Sequence, residues 1–486
     1  MTSENSNDCK HTCFIYLPDV WLPFDKWLCL HPKYRTIFYQ TIEQLFYGSG
    51  PMAICERHYI ALMAASRHRC YFLMGLHRRE FERTGGKAEW LKGLSYASEK
   101  IQNLDALNTI LAHQPWSTSI DHLTMLIKCC SPTNWCLSEL VQASIVLAQT
   151  HVLCSFILGN DINYSNESSF KVIEDQKKWN GSSSSGGEGG GGGGGDGIDN
   201  NDCKIELLLG YMEQLKKSQL NNDVKKPGGE AKMQMDFLKV QNDYDDIKST
   251  NSAKREEILI AENRLKNNCV KNNSMENSII FDNNISTLYT FNNHFGYVDF
   301  AQCAEDGFTR THKIHEFSWE DQGYSCVDEL YNEMADILDK KMTLIQNLTY
   351  STMGAYTDVD TSKYRNAIWM YIQSLYGIRH DDYNYAEVNV MLNRKMKTFI
   401  KMTCCHPHKM TDSLRQSVMI DFRSSEKVHV LLIMMEARFQ AELIYFFRAL
   451  LLSLSDHYLF LSVIICKRLQ KFKQRKKIFP KEFNVI

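Results

Sequence analysis

Apolar residues recur at helical spacing through most of the chain, and strand-like alternation is nearly absent. Ile60, Met63, Ala64, Tyr71 and Met74 share one face of a helix predicted from about Arg57 to Phe81, with a stop at Gly85-Gly86. Ser119 ahead of Asp121 and His122 has the character of an N-cap. Leu140 to Ile157 is apolar on most faces, as a central helix must be. The pattern predicts an all-α domain over residues 31–160, behind an N-terminal tail at 1–30.

Beyond about Asp161 the pattern dissolves. Asn, Ser and Glu take over, and Gly181 to Gly197 holds little except Gly and Ser, the composition of a flexible linker. Within this insertion, residues 161–289, Ile205, Leu208, Leu209, Met212 and Leu215 predict one amphipathic helix near 204–220 that folds back on a domain. The remainder, to about Asn284, reads as disordered.

Helical patterning returns for a second all-α domain over 290–456. Asp360 or Thr361 caps a helix carrying Tyr364, Ala367, Ile368, Tyr371 and Leu375 that stops at Gly377. A helix is predicted from about Tyr385 to Cys404, a short one near Thr411, and a long one from about Ser425. Helices with short connections suggest a bundle.

The 486 residues, 44% of them hydrophobic, suffice for two ordinary cores. Sixteen cysteines lack framework spacing and no apolar signal segment opens the chain, so a reduced intracellular protein is expected, in the cytoplasm with nuclear entry as an option. A net charge of −2 supplies no basic field for nucleic acid. No apolar run reaches the ~18 residues of a membrane span. The basic tail at 457–486, with Lys467, Arg468, Lys471, Lys473, Arg475, Lys476 and Lys477, reads as a solvated helix end in preference to a membrane-surface segment or an import signal.

Three sets of residues carry candidate chemistry. Cys70 and His77 return to one face of a continuous helix, yet seven residues at 1.5 Å separate their backbones by roughly 10 Å, so a proton would need a relay. Leu73 stands where a dithiol motif would place a second cysteine. Arg365, Glu426 and the threonines Thr349, Thr352 and Thr361 can hold a free amino acid, a planar cation for its carboxylate and an anion for its ammonium. The alternative is an interhelical salt bridge with ordinary caps. Asp381-Asp382-Tyr383 makes an acidic loop with an aromatic anchor that can dock a basic partner. No metal site and no cofactor are expected, because nothing completes a ligand shell around these carboxylates.

These segments resemble the sestrins: His58-Tyr59-Ile60-Ala61-Leu62-Met63-Ala64-Ala65 through His77, Asn103 to Trp116, Trp319-Glu320-Asp321, Asp360 through Glu387, and Ser425-Glu426-Lys427-Val428-His429-Val430. The resemblance implies two pseudo-symmetric helical halves of the alkyl hydroperoxidase D type. Cys70 and His77 match the family's catalytic cysteine and histidine, while Phe72 replaces its tyrosine and removes the phenol that would pass a proton. The resemblance further implies leucine sensing by Arg365, Glu426, Thr349, Thr352 and Thr361, over an apolar floor in which Phe422 is kept, Tyr364 replaces a leucine and Met419 replaces a tryptophan. Asp381 and Asp382 fall on contacts to GATOR subcomplex 2, and Cys136 after Trp135 replaces a serine of a second contact.

Three functions follow as expectations. One is a regulator that binds GATOR subcomplex 2 and restrains target-of-rapamycin complex 1 until leucine relieves it. The second is a thiol peroxidase using Cys70. The third is a scaffold in which both sites are vestigial.

Overall fold

The computed structural model describes residues 17–128, 133–160, 205–221, 229–242, 286–305, 309–348 and 351–455. It is mostly helical, as the patterning predicts. The principal helices of the first half are α1 (Pro32–Phe46), α2 (Ile54–Arg67), α3 (Tyr71–Arg83), α4 (Asp105–His113), α5 (Ile120–Ile127) and α6 (Leu137–Asn160). The insertion contributes α7 (Ile205–Asn221) and α8 (Glu230–Asn242). The second half is built on α9 (Asn332–Asn347), α10 (Ser362–Leu375), α11 (Ala386–Met391), α12 (Arg394–Cys405) and α13 (Ser424–Ser455). Four two-residue strands form β1 (His312–Lys313) parallel to β4 (Ile378–Arg379), and the hairpin of β2 (Thr352–Met353) with β3 (Tyr356–Thr357).

Where local chemistry is strong, the predicted boundaries hold. Ser119 caps α5 through a reciprocal bond with His122, and Thr411 accepts from Leu414 N at 3.3 Å. Gly377, with φ +72, ends α10 in a conformation open to glycine.

Several expectations are corrected. The helix predicted from Arg57 to Phe81 is two helices. Arg69 takes φ +51, and the bonds Cys70 N to Ala65 O (3.0 Å) and Arg69 N to Ser66 O (3.1 Å) close the end of α2. Of the predicted apolar face, Ile60, Met63, Ala64 and Met74 are buried, but Tyr71, just past the break, is exposed, because the turn at Arg69 resets the helical phase. The helix expected from Tyr385 to Cys404 likewise splits, because Asn393 turns its side chain to Met396 N at 2.8 Å and starts α12 afresh. Within the stretch read as disordered, α8 is ordered by burial of Phe237 and Val240. The Gly-rich segment and the basic tail lie outside the described residues. Finally, α6 is long and apolar enough to span a membrane by composition, but its apolar window is wholly buried inside the fold.

That burial places α6 at the centre, packed on α2 and on α13. Among the described residues, one apolar core cluster takes in members from Trp21 to Leu454. Several polar groups buried between the halves pair across them. Arg438 donates to Glu442 Oε1 (2.8 Å), to Ser155 Oγ (2.7 Å) and to the Ala112 carbonyl (3.1 Å), with His68 Nε2 at 2.9 Å. His151 stands between Glu442 (2.9 Å) and Asn108 (3.0 Å). Lys341 reaches both Gln149 Oε1 (2.6 Å) and Glu436 Oε1 (3.3 Å). An unpaired charge at such depth is costly, so these contacts fix how the halves meet.

Candidate functional site

Glu426 lies in the first turn of α13, and its carboxylate holds the hairpin over that helix end. Oε1 accepts from Thr352 Oγ1 at 3.0 Å, while Oε2 accepts from Gly354 N at 2.8 Å and Arg423 N at 2.9 Å. The last bond is one half of a capping box, a glutamate at the third helical position reaching back to the cap residue. Arg423 returns the contact by donating Nε to the Gly354 carbonyl at 2.6 Å. A carboxylate offers about four lone pairs, so one acceptor direction remains on Oε1.

Arg365, in the first turn of α10, is buried and clamped. Its Nε donates to Thr361 Oγ1 (3.2 Å) and its Nη1 to the carbonyls of Gln346 and Leu348 (both 2.8 Å). Asp360 Oδ1 accepts from Ser362 N at 3.0 Å, which leaves the Thr361 hydroxyl for the arginine. Burial pulls the Arg365 pKa down, against an opposing pull from Asp360. Burial first, and then His31 and Arg365, push the pKa of His429 on α13 down to about 3, so that imidazole is neutral. Thr349 lies outside the described residues.

A cavity of about 110 Å³ is lined by Tyr364, Met391, Met419 and Phe422, by Ile205 and Leu208 of the insertion, and by the polar Asn393, Lys395, Ser417 and Asp421, while Arg365 and Glu426 are not among its lining residues. Tyr364 and Phe422 meet edge to face at 5.9 Å. Met419 sits in the left-handed region at φ +52, a conformation that costs a side-chain-bearing residue about 1 kcal/mol or more. The volume falls below the ~150 Å³ of a cavity that admits benzene, which suits a small aliphatic group better than a ring. Sequence reasoning places Tyr364, Met419 and Phe422 in this floor but misses Ile205 and Leu208, whose apolar spacing signals a docked helix without naming its dock.

The acidic loop is anchored differently from its expectation. Tyr383 is buried against Tyr385, with ring centroids 5.2 Å apart, so the aromatic residue faces inward and offers no anchor. The Asp381 carboxylate accepts from Arg379 at 2.9 Å and contacts His315, whereas Asp382 is exposed. Burial raises the Asp381 pKa, but His315 and Arg379 outweigh it and hold the carboxyl below the usual range. Helix α8 sits at this loop's base. Glu230 meets Arg379 at 3.2 Å, and Phe237 meets Tyr385 edge to face at 4.9 Å.

Cys136 is exposed and begins α6. Its sulfur accepts from Glu139 N at 3.4 Å while Glu139 Oε2 accepts from Cys136 N at 3.0 Å, a capping box with sulfur in place of the hydroxyl. Trp135 beside it is buried, with Lys100 Nζ over its ring at 4.9 Å.

Cys70 is buried at the cap position of α3, and its described neighbour is the thiol of Cys154 on α6. Burial first, and then Cys70, push the Cys154 thiol up. His77 turns to another partner, with its Nδ1 3.1 Å from His58 Nδ1 and its ring against Trp21 and Phe46. Burial pushes His77 down to about 3, so it is neutral near pH 7. Phe72 packs on Phe24 at 6.0 Å. The described contacts thus bring Cys70 to a second cysteine and His77 to a second histidine, without joining the two.

A family model described as PA26 p53-induced protein (sestrin) matches residues 21–453. Among curated relatives, Sestrin-3 of Mus musculus is 34% identical over 87% of this chain and 83% of its own length. Sestrin-2 of Homo sapiens is 35% identical over 87% and 82%, and Sestrin-1 of Xenopus laevis 34% identical over the same shares.

Proposed function

Because the chain belongs to the sestrin family, we propose that it is a stress-responsive intracellular regulator that binds GATOR subcomplex 2 and restrains target-of-rapamycin complex 1. Free leucine, or a similar amino acid, occupies the second half and relieves the restraint. The protein works in the cytoplasm, with entry to the nucleus. The observation that supports this reading best is that a clamped cation, Arg365, and a carboxylate, Glu426, each adjoin the lining of a cavity of about 110 Å³, the first next in sequence to Tyr364 and the second bound to Gly354, which abuts Ile205. In the proposed complex the ligand ammonium takes the open direction on Glu426 Oε1, the guanidinium faces the ligand carboxylate, and the aliphatic side chain enters the cavity. The exposed Asp382 is the proposed contact to the partner.

A thermal shift measured with leucine, isoleucine and glycine tests the ligand half. Leucine raises the melting temperature more than the other two in the wild type, and Arg365→Ala abolishes the rise. No rise at millimolar leucine removes the sensing role.

A second reading, thiol peroxidase chemistry, draws on the contact of Cys70 with Cys154, which supplies in space the second thiol missing at Leu73. Attack of a Cys70 thiolate on an alkyl hydroperoxide gives a sulfenic acid and an alcohol, and the Cys154 thiol then condenses with it to a disulfide and water. Turnover with an external thiol is compared in the wild type and Cys70→Ser. Equal rates in the two proteins exclude this reading.

A further inference from the structure

The cavity is not closed by the second half alone. Helix α7, from the insertion, lays Ile205, Leu208 and Met212 along one buried stripe, and the first two line the cavity opposite Tyr364 and Phe422. Its first residue sits directly on the hairpin. A Cβ built at Gly354 would stand 2.5 Å from Ile205 Cδ1 and 2.6 Å from the Asp421 carbonyl oxygen. Gly354 has φ +59, so the backbone there already favours glycine. The contact therefore seats α7 on the same residue whose N–H is held by Glu426. Polar contacts at the rim orient the helix: Tyr356 of β3 donates to Glu206 at 2.9 Å, and Lys216 faces Asp360 at 3.7 Å, one residue before the cap of α10. Both rim pairs are exposed and contribute little energy. Burial of the apolar stripe is what holds the helix down.

We infer that α7 is the movable wall of the amino-acid pocket, with Ile205 and Leu208 determining which aliphatic side chain is accepted. This rests on the pocket proposed above and deepens it. The insertion then senses occupancy directly. A ligand that fills the cavity gains contact with Leu208 and favours the docked helix. The empty cavity leaves these side chains with fewer neighbours, so docking is weaker by the same linkage.

The test uses the full-length chain. Hydrogen exchange of the α7 amides is followed with and without leucine, and leucine and valine affinities are measured by calorimetry for wild type, Leu208→Ala and Leu208→Phe. The inference expects α7 to be protected, and more so with leucine. Leu208→Ala weakens leucine about tenfold while changing valine less, because the lost contact is with the longer side chain. Leu208→Phe narrows the cavity and excludes leucine while the melting temperature stays near wild type. A merely structural role for Leu208 would lower both affinities alike. Unprotected α7 amides in the wild type, or leucine affinities equal in all three proteins, overturn the inference. A wild type that binds no leucine while α7 stays protected overturns the proposed ligand and leaves α7 as the cavity wall.

Discussion

The Thr352 hydroxyl donates to Glu426 Oε1 at 3.0 Å, tying the β2–β3 hairpin to the first turn of the longest helix. Three donors converge on that carboxylate, two of them backbone N–H groups that no substitution other than proline removes.

Glu426→Gln keeps the shape but turns an amide toward three donors. Leucine binding is expected to disappear and stability to fall by about 1–2 kcal/mol, the cost of leaving a helix cap and a buried N–H poorly paired. Thr352→Val removes one hydroxyl and should cost about 1 kcal/mol, with binding weakened and not abolished. Urea denaturation beside leucine calorimetry reads both. A Glu426→Gln protein with native stability and native affinity would contradict the assigned geometry.

Asp381 and Asp382 should separate cleanly. Asp382 is exposed, so Asp382→Ala leaves stability within about 0.5 kcal/mol while depleting GATOR subcomplex 2 from a pull-down. Asp381→Ala takes an anion from the buried Arg379 and costs about 1 kcal/mol, an amount limited by the half-exposed carboxylate. Because Asp381 titrates below its unfolded value, its contribution is present above about pH 4 and fades as pH falls through the folded pKa. If Asp382→Ala binds the partner as wild type does, the loop is not the contact.

Acid should destabilise the first half through its buried histidines. An unfolded histidine titrates near 6.5, whereas His77 is held near 3 by burial, and His58 moves in the same direction. Between those values the unfolded chain binds a proton that the fold refuses, so stability falls as pH drops below 6.5. One such group costs about 2 kcal/mol by pH 5, at about 1.36 kcal/mol per pH unit. Urea midpoints at pH 7.5, 6 and 5 should fall in the wild type and fall less steeply in His77→Phe. Parallel slopes would show that His77 does not bear the charge.

Arg438→Met addresses the junction of the halves. Removing the guanidinium leaves the buried Glu442 with His151 but no cation, and about 3–5 kcal/mol of stability is expected to be lost. Arg438→Met with Glu442→Gln should recover a large part, because no unpaired charge remains. A double variant no more stable than the single one would place the loss in packing.

Helical class, the central position of α6, the cap at Ser119, the short helix near Thr411 and the stop at Gly377 were legible in the sequence, because each depends on residues within a few positions of one another. Arg365, Glu426, Thr352 and Thr361 were singled out through the motifs that carry the family resemblance, and their contacts, Glu426 with Thr352 and Arg365 with Thr361, came from the structure. The break at Arg69 was not legible, since the apolar spacing from Ile60 to Met74 reads as one helix face although Tyr71 past the break is exposed. Nor was the inward turn of Tyr383, or the placement of Cys154 beside Cys70.

The sequence by itself determined that this chain is helical and a sestrin, because periodicity, caps and motif residues are local properties of the chain. Only the tertiary structure decided that His77 faces His58 and that Glu426 clamps the hairpin. It also decided that Ile205 and Leu208, far from Tyr364 in the chain, complete the cavity wall. Those relations join segments separated by long stretches of chain, and no local pattern records which buried surfaces will meet.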